Sequence, residues 1–197
     1  MKKNIITISR EFGSGGRFIG QQAAQLLGVE FYDREIIARA AKKTSLSEDY
    51  IEKFGEYSPR KNIFSYAFTG RDAQGSSVAD YLYAAQRQVV LDIAQKGPCV
   101  IVGRCADFIL KDRADCLHVF IHGQSEDKIR RIMKLYDKTK EAAQKLIADT
   151  DKKRSLNYRY NTDRKWGDIT NYSMTLNSST FGYERCARLI AQAAEEA

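Results

Sequence analysis

A short apolar segment, a cluster of glycines and an amphipathic segment follow one another at the start of the chain. Residues 4–9 are rich in β-branched side chains and predict a strand. Gly13 to Gly16 come next, and residues 17–27 carry apolar side chains at helical spacing. Glycines in such a turn let backbone N–H groups curve around an anion, and the positive end of the helix dipole adds to the attraction. We therefore expect a phosphate-binding turn between a strand and a helix.

Two known glycine-loop patterns can be compared with this turn. The dinucleotide pattern G-x-G-x-x-G fails, because Phe18 stands where its third glycine is needed. The mononucleotide pattern G-x-x-x-x-G-K-[ST] fits in length if Gly16 is its second glycine. Glu11 then replaces the first glycine, Arg17 the lysine and Phe18 the metal-binding hydroxyl. The turn indicates phosphate binding, and a merely tight strand–helix connection is the alternative.

Strands and helices alternate along the rest of the chain, which is typical of an α/β protein with a parallel sheet. Gly28 is expected to end the first helix, and Ser125 to cap a later one. Residues 58–77 mix Pro, Gly, Ser and aromatic residues and predict an irregular segment. Further strands are expected at 29–32, 99–103, 117–121 and 172–176, and further helices from Asp33, from Ser47, and at 78–95, 125–136, 139–160 and 181–195.

Composition favours one soluble domain. The chain has 197 residues, of which 43% are hydrophobic and 29% charged, and this balance excludes a disordered or fibrous protein. The apolar runs are far shorter than the ~20 residues that a membrane helix needs, and the N-terminus has no signal-peptide pattern. We expect a cytoplasmic protein without membrane contact. Its four cysteines and two histidines lack zinc-site spacing, which predicts reduced, buried thiols and no dedicated metal site.

The net charge of +7 is consistent with an anionic partner, and plain solubility is the alternative. Residues 151–165 contain six basic and two acidic residues, so this stretch holds more than half of the surplus. Such a cluster predicts a clamp over phosphates, because guanidinium groups pair well with phosphate oxygens. A solvated helix end and a nucleic-acid surface are the alternatives, but no recognised nucleic-acid motif supports the latter. Arg39 and Arg104 follow predicted strands, where they can reach a phosphate at the carboxyl edge of the sheet.

Taken together, these segments resemble cytidylate kinase-like proteins, a group of P-loop nucleoside monophosphate kinases, over nearly the whole chain. The resemblance is carried by Ile8 to Gly16, Phe31 to Glu35, Val102 to Arg104 and Asp151 to Asp168. It implies a single three-layer α/β/α P-loop domain over residues 1–197, with a central, mainly parallel five-stranded sheet. The core would comprise 1–43, 97–138 and 170–197, with a helical acceptor-binding insert at about 44–96 and a basic helical lid at about 139–169.

The chain also departs from the family's motifs. The acceptor motif D-S-G-x-x-Y-R is matched at its ends alone, by Asp33 and Arg39, and Cys105 replaces the aspartate of the G-R-D motif. The residues that read cytosine are not clearly matched, which leaves the acceptor open. Phe18 motivates the alternative of a catalytically degenerate module that binds a nucleotide or phosphate without turning it over.

The resemblance implies Mg²⁺-dependent transfer of the ATP γ-phosphoryl group to a nucleoside monophosphate of CMP or dCMP type, or to another small phosphate acceptor. Because Phe18 replaces the usual hydroxyl ligand, Mg²⁺ would need another ligand, with Ser14 and Asp33 as candidates. The donor phosphates would contact the loop residues Gly13, Ser14, Gly15, Gly16, Arg17 and Phe18. The acceptor would contact Asp33, Arg39, Arg104, Asp151 and Lys153, and the transferring group would be stabilised by Arg17, Arg104, Arg154 and Arg159.

Overall fold

The computed structural model describes residues 2–33, 36, 38–39, 42 and 78–196. Its strands are β1 (Ile5–Arg10), β2 (Glu30–Tyr32), β3 (Cys99–Val102), β4 (Cys116–His122) and β5 (Met174–Asn177). Its helices are α1 (Gly16–Leu27), α2 (Val78–Lys96), α3 (Ala106–Ile109), α4 (Ser125–Tyr136), α5 (Lys140–Thr162), α6 (Ser178–Phe181) and α7 (Tyr183–Glu196), with a 3₁₀ turn at Ile169–Asn171. The predicted irregular segment 58–77, the helix from Ser47 and most of the insert 44–96 lie outside the described residues.

The five strands form one parallel sheet in the order β2-β3-β1-β4-β5. The chain leaves β1 towards β2 on one side, and it leaves the neighbouring β4 towards β5 on the other side. This reversal opens a crevice at the carboxyl ends of β1 and β4, where open α/β sheets bind their ligands. The topology therefore places the glycine loop, which follows β1, at the position of a binding site.

Two apolar layers cover the sheet. Alternate residues of β1 point to opposite faces, so Ile6 packs with α1 and α7 while Ile5 packs with α2. Val100 and Ile101 of β3 divide in the same way. Burial on both faces explains why this strand is a continuous apolar run. The predicted three-layer architecture with a central parallel sheet is confirmed.

Most predicted elements appear with ends shifted by one or two residues. Gly28 ends α1 in the left-handed conformation, and its N–H is directed at the carbonyl oxygens of Ala24 and Gln25. The prediction that Ser125 caps a helix is wrong, because Gln124 holds the cap position and Ser125 is already helical. Helices α3 and α6 were not predicted, since four residues are too few to show a period. Within the described ranges, no helix is long and apolar enough to cross a membrane.

Candidate functional site

The glycine loop connects the carboxyl end of β1 to the start of α1. Gly13 and Gly15 have φ values of +85° and +79°, in the left-handed region that glycine adopts readily. A Cβ on Gly13 would lie 3.0 Å from the Cβ of Lys128, and a Cβ on Gly15 would lie 2.6 Å from Cε1 of Tyr183. In the described part of the chain no side chain caps α1. The first N–H groups of this helix therefore remain available to an anion.

Tyr183 of α7 supports the loop from outside. Its ring contacts Gly15, and it meets the ring of Phe18 edge to face with centroids 6.0 Å apart. The guanidinium of Arg131 lies 4.8 Å from the centre of the same ring. Gly15 also lines the cavity on the inner side of the loop, whereas Tyr183 does not. The tyrosine ring thus supports the loop and leaves the cavity open.

A cavity of about 570 Å³ opens along the inner side of the loop. Its lining includes carboxylates, guanidinium groups and apolar side chains from the loop, α1 and α4. Its carboxylates belong to Glu11 and Asp33, and both are ion-paired. Because its guanidinium groups outnumber these carboxylates, the cavity suits a ligand with several negative charges. The guanidinium groups are those of Arg10, Arg17, Arg104, Arg131 and Arg154, and the apolar wall is formed by Phe12, Phe18, Ile132, Leu135 and Tyr136.

Glu11, at the position of the first glycine in the mononucleotide pattern, ties the loop to α4. Its Oε2 accepts hydrogen bonds from Nζ of Lys128 at 2.7 Å and from the N–H of Gly123 at 3.2 Å. The hydroxyl of Ser14 is buried and donates to the carbonyl oxygen of Glu11 at 2.8 Å. The backbone N–H of Ser14 donates to the same carbonyl oxygen at 3.4 Å, so both donors of Ser14 stabilise the turn itself.

Arg17 and Asp33 form an ion pair in the lining of the cavity. The Nε of Arg17 lies 2.6 Å from Oδ2 of Asp33, which follows directly after β2. Arg17 is largely exposed while Asp33 is nearly buried. The structure thus brings together the predicted loop cation and the predicted acceptor-binding carboxylate, as a pair with each other.

Arg104 enters the cavity from a turn of unusual conformation after β3. Gly103, Arg104 and Cys105 have φ values of +75°, +57° and +53°. Residues other than glycine rarely adopt this region, and such strain concentrates at functional sites. The turn leaves Arg104 buried and lining the cavity. This is the position that the sequence predicted for a phosphate-binding arginine.

Helix α5 docks onto the glycine loop through two charged residues. The carboxylate of Asp151 accepts a hydrogen bond from the N–H of Phe12 at 2.7 Å, and burial raises the pKa of this carboxyl. Nη1 of Arg154 donates to the carbonyl oxygen of Arg10 at 3.0 Å. The guanidinium also lies 5.6 Å from the centre of the Phe12 ring. The structure therefore joins Asp151 and Arg154 to the loop.

Five predicted site residues do not line this cavity. Two of them, Ser14 and Asp151, are bonded to the loop backbone, and the other three lie elsewhere. Arg39 lies over the ring of Tyr32 at 5.1 Å and lines a separate groove with Asp92 and Lys96 of α2. The structure thus does not bring Arg39 together with Arg104. Lys153 and Arg159 lie on α5 outside the cavity lining, and Arg159 is exposed.

Several residues at the site were not found from the sequence. Arg10 ends β1 and could have been found by the rule that located Arg104, a cation at a strand's carboxyl end. Arg131 and Lys128 lie on α4, where alternating charges look like an ordinary solvated face. Asp107 is buried outside the cavity lining, and nothing in its local pattern indicates a role.

Comparison with known proteins agrees with this geometry. Residues 5–180 match the model of the cytidylate kinase-like family. The chain is similar to the crystal structure of an uncharacterized protein from Eubacterium ventriosum ATCC 27560, with 22% identity, a TM-score of 0.75, and coverage of 98% of this chain and 99% of that one. No curated protein matches the sequence.

Two enzyme structures share the fold at lower identity. One is shikimate kinase from Acinetobacter baumannii in complex with shikimate, with 16% identity, a TM-score of 0.55, and coverage of 96% of this chain and 92% of that one. The other is a gluconokinase from Sinorhizobium meliloti 1021, with 13% identity, a TM-score of 0.51, and coverage of 98% and 95%. These likenesses show the fold and leave the acceptor open.

Proposed function

The chain belongs to the cytidylate kinase-like family, and on this premise we propose that it transfers the γ-phosphoryl group of ATP to a small acceptor. A nucleoside monophosphate of CMP or dCMP type is the first candidate, and another small phosphate acceptor is the second. The observation that carries the proposal is the junction of the glycine loop with a cavity rich in arginine. A helix N-terminus and several guanidinium groups together suit the phosphates of a donor and an acceptor.

Phosphoryl transfer depends mainly on positioning and on stabilising charge, so the site needs no strong general base. In the proposal, the N–H groups at the start of α1 hold the donor phosphates. Arg104 and Arg154 reach the cavity from β3 and α5 and stabilise the negative charge on the transferring group. Arg10 and Arg131 add further positive charge to the cavity. Docking of α5 on the loop excludes water, which would otherwise accept the phosphoryl group.

The residues present fit a magnesium ion with one carboxylate. Mg²⁺ at nucleotide sites is commonly held by one or two carboxylates together with substrate phosphates and water. Asp33 lines the cavity and would be that carboxylate, whereas the Ser14 hydroxyl is bonded to the loop's own backbone. The described residues contain no cluster of three or more acidic, histidine or cysteine ligands. When bound, Mg²⁺ would neutralise phosphate charge during transfer.

The test is a screen with MgATP or MgGTP as donor and a panel of ribo- and deoxynucleoside monophosphates as acceptors, in which production of ADP or GDP, respectively, is measured. We expect turnover with at least one acceptor. Arg104→Ala should lower kcat/KM by about 10²–10³-fold, since it removes a preorganised donor to the transferring charge. Arg113→Ala is the matched control, because Arg113 pairs with Asp115 outside the cavity at 2.8 Å. It should leave kcat/KM within about twofold.

Binding and turnover separate the proposal from its alternatives. Saturable ATP binding without transfer to any acceptor would contradict the kinase proposal and support the nucleotide-binding module. Weak nucleotide binding together with DNA or RNA binding that falls steeply with salt would support the nucleic-acid alternative.

A further inference from the structure

A buried polar cluster lies where β1, α3 and α5 meet, outside the cavity lining. Asp107 of α3 is 3% exposed, and its Oδ2 accepts a hydrogen bond from the Tyr158 hydroxyl at 2.6 Å. Its Oδ1 accepts a second bond from the Ser9 hydroxyl at 3.2 Å. Tyr158 is equally buried. A carboxyl group in such a place is costly unless its hydrogen bonds are made, so the cluster fixes the elements that supply them.

The cluster acts on the same face of α5 that carries Arg154. Residues four apart on a helix lie one above the other, so Tyr158 holds the turn that follows Arg154. Ser9 is the neighbour of Arg10 in β1, and the carbonyl of Arg10 accepts the hydrogen bond from Arg154. The carboxyl group of Asp107 therefore connects two segments that position Arg154. One is β1, where Ser9 precedes the residue that accepts the Arg154 hydrogen bond, and the other is the turn of α5 that follows Arg154.

We propose that Asp107 is a positioning residue that sets the guanidinium of Arg154 in the cavity, acting through Tyr158 and Ser9. Asp107 does not line the cavity itself. The role in catalysis rests on the proposed phosphoryl transfer, whereas the effect on Arg154 is a property of the fold and can be measured separately. Burial raises the pKa of Asp107 and that of Tyr158, as expected for two hydrogen-bonded groups that are shielded from water.

The direct test compares Tyr158→Phe with Tyr160→Phe. The first change removes the hydroxyl bonded to Asp107. The second removes a hydroxyl on the same helix that donates to Asp80. Tyr160 itself is 57% exposed. The measurement is hydrogen exchange at Nε of Arg154 by NMR of ¹⁵N-arginine protein without any ligand, with the signal assigned from Arg154→Lys.

We expect exchange at Arg154 to be at least tenfold faster in Tyr158→Phe and unchanged in Tyr160→Phe. Equal exchange in both variants and in the wild type would overturn the proposal, whatever the enzyme's activity. If Tyr158→Phe does not fold, Ser9→Ala takes its place, because it removes the other hydroxyl bonded to Asp107. The same acceleration would then support the proposal, and its absence would refute it.

A double-mutant cycle on ATP turnover then tests the catalytic role. If Tyr158 acts through Arg154, Tyr158→Phe lowers kcat by about tenfold in the wild type and has almost no further effect in Arg154→Ala. Additive losses would show a general structural role and contradict the proposal. If the wild type has no turnover, the proposed function fails, while the exchange measurement still decides how Arg154 is positioned.

Discussion

At the scale of single residues, Gly15 combines two requirements in one position. Its φ of +79° costs an alanine about 1–2 kcal/mol, and the added Cβ would lie 2.6 Å from the ring of Tyr183. We therefore expect Gly15→Ala to shift the loop and to weaken ATP binding by more than tenfold. Titration with a fluorescent ATP analogue measures the affinity, and thermal unfolding measures the stability.

Gly28→Ala is the matched control for this change. Gly28 also has a left-handed φ, of +65°, but a Cβ there would meet nothing within 4 Å. The variant should carry the backbone cost alone and bind the nucleotide as the wild type does. Equal affinities for Gly15→Ala and the wild type would show that the loop does not hold the ligand.

Asp107 makes stability depend on pH in an unusual direction. Burial raises its pKa in the folded protein above the ordinary value of an aspartate, about 3.9. The folded state then holds the proton more tightly than the unfolded state does. Stability from this group is complete below about pH 4 and is lost as pH rises through the folded pKa. Asp107→Asn removes this titration.

The free energy of unfolding of the wild type minus that of Asp107→Asn should therefore be largest near pH 4 and should decrease towards pH 7. Urea unfolding at several pH values measures this difference. A difference that is constant, or that increases with pH, would contradict the raised pKa.

The rule that ligands bind at the carboxyl edge of a parallel sheet predicted the position of two features correctly and of a third wrongly. The glycine loop and Arg104 follow strands of a parallel sheet, and the carboxyl edge of such a sheet is where ligands bind. The same rule and a family motif both predicted that Arg39 reaches this edge, but its side chain lies over Tyr32 instead. Spacing along the chain fixes which residue follows a strand, but not where a long side chain turns.

At the scale of elements, α5 explains why the basic stretch was only partly informative. Its buried face includes Ile147, Arg154 and Tyr158, which follow the helical period. A helix presents one side to its neighbours, so the exposed Lys152 and Arg159 lie away from the loop. The sequence predicted the helix and its charge, but the docking face depends on Tyr158 and Asp107, which meet through tertiary structure.

Helix α4 contributes Lys128, whose pairing with Glu11 holds the loop. The lysine side chain is 10% exposed, so its removal leaves a partly buried carboxylate without its cation. We expect Lys128→Met to lower the free energy of unfolding by about 1–3 kcal/mol. Adding Glu11→Gln should restore part of this loss, because the unpaired charge is removed as well. Urea unfolding of the two variants gives both numbers.

Arg130→Met provides the comparison for Lys128→Met within the same helix. Arg130 pairs with Asp127 at the surface, and its side chain is largely exposed. Surface pairs contribute about 0–1 kcal/mol, so this variant should unfold almost as the wild type does. Equal losses for Arg130→Met and Lys128→Met would show that the loop does not depend on its bond to α4.

At the scale of the whole molecule, composition predicted a folded domain but not which part of it uses the net positive charge. The net charge of +7 is consistent with many anionic partners. The topology narrows this choice, because β1, β3 and α5 bring Arg10, Arg104 and Arg154 to one cavity from distant parts of the sequence. Alternation of strands and helices predicted the sheet, while convergence of these side chains follows from strand order, which local patterns do not contain.

Burial also predicts the chemistry of the cysteines, three of which lie in the two apolar layers. All four are buried, and burial raises the pKa of Cys99 to about 12 and that of Cys116 to about 11. Because the thiolate is the reactive form, no native thiol should react with DTNB within minutes at pH 8, and four should react in denaturant. Leu26→Cys, at a largely exposed position of α1, should add one fast thiol as a control. Fast reaction of a native cysteine would contradict the burial of its thiol.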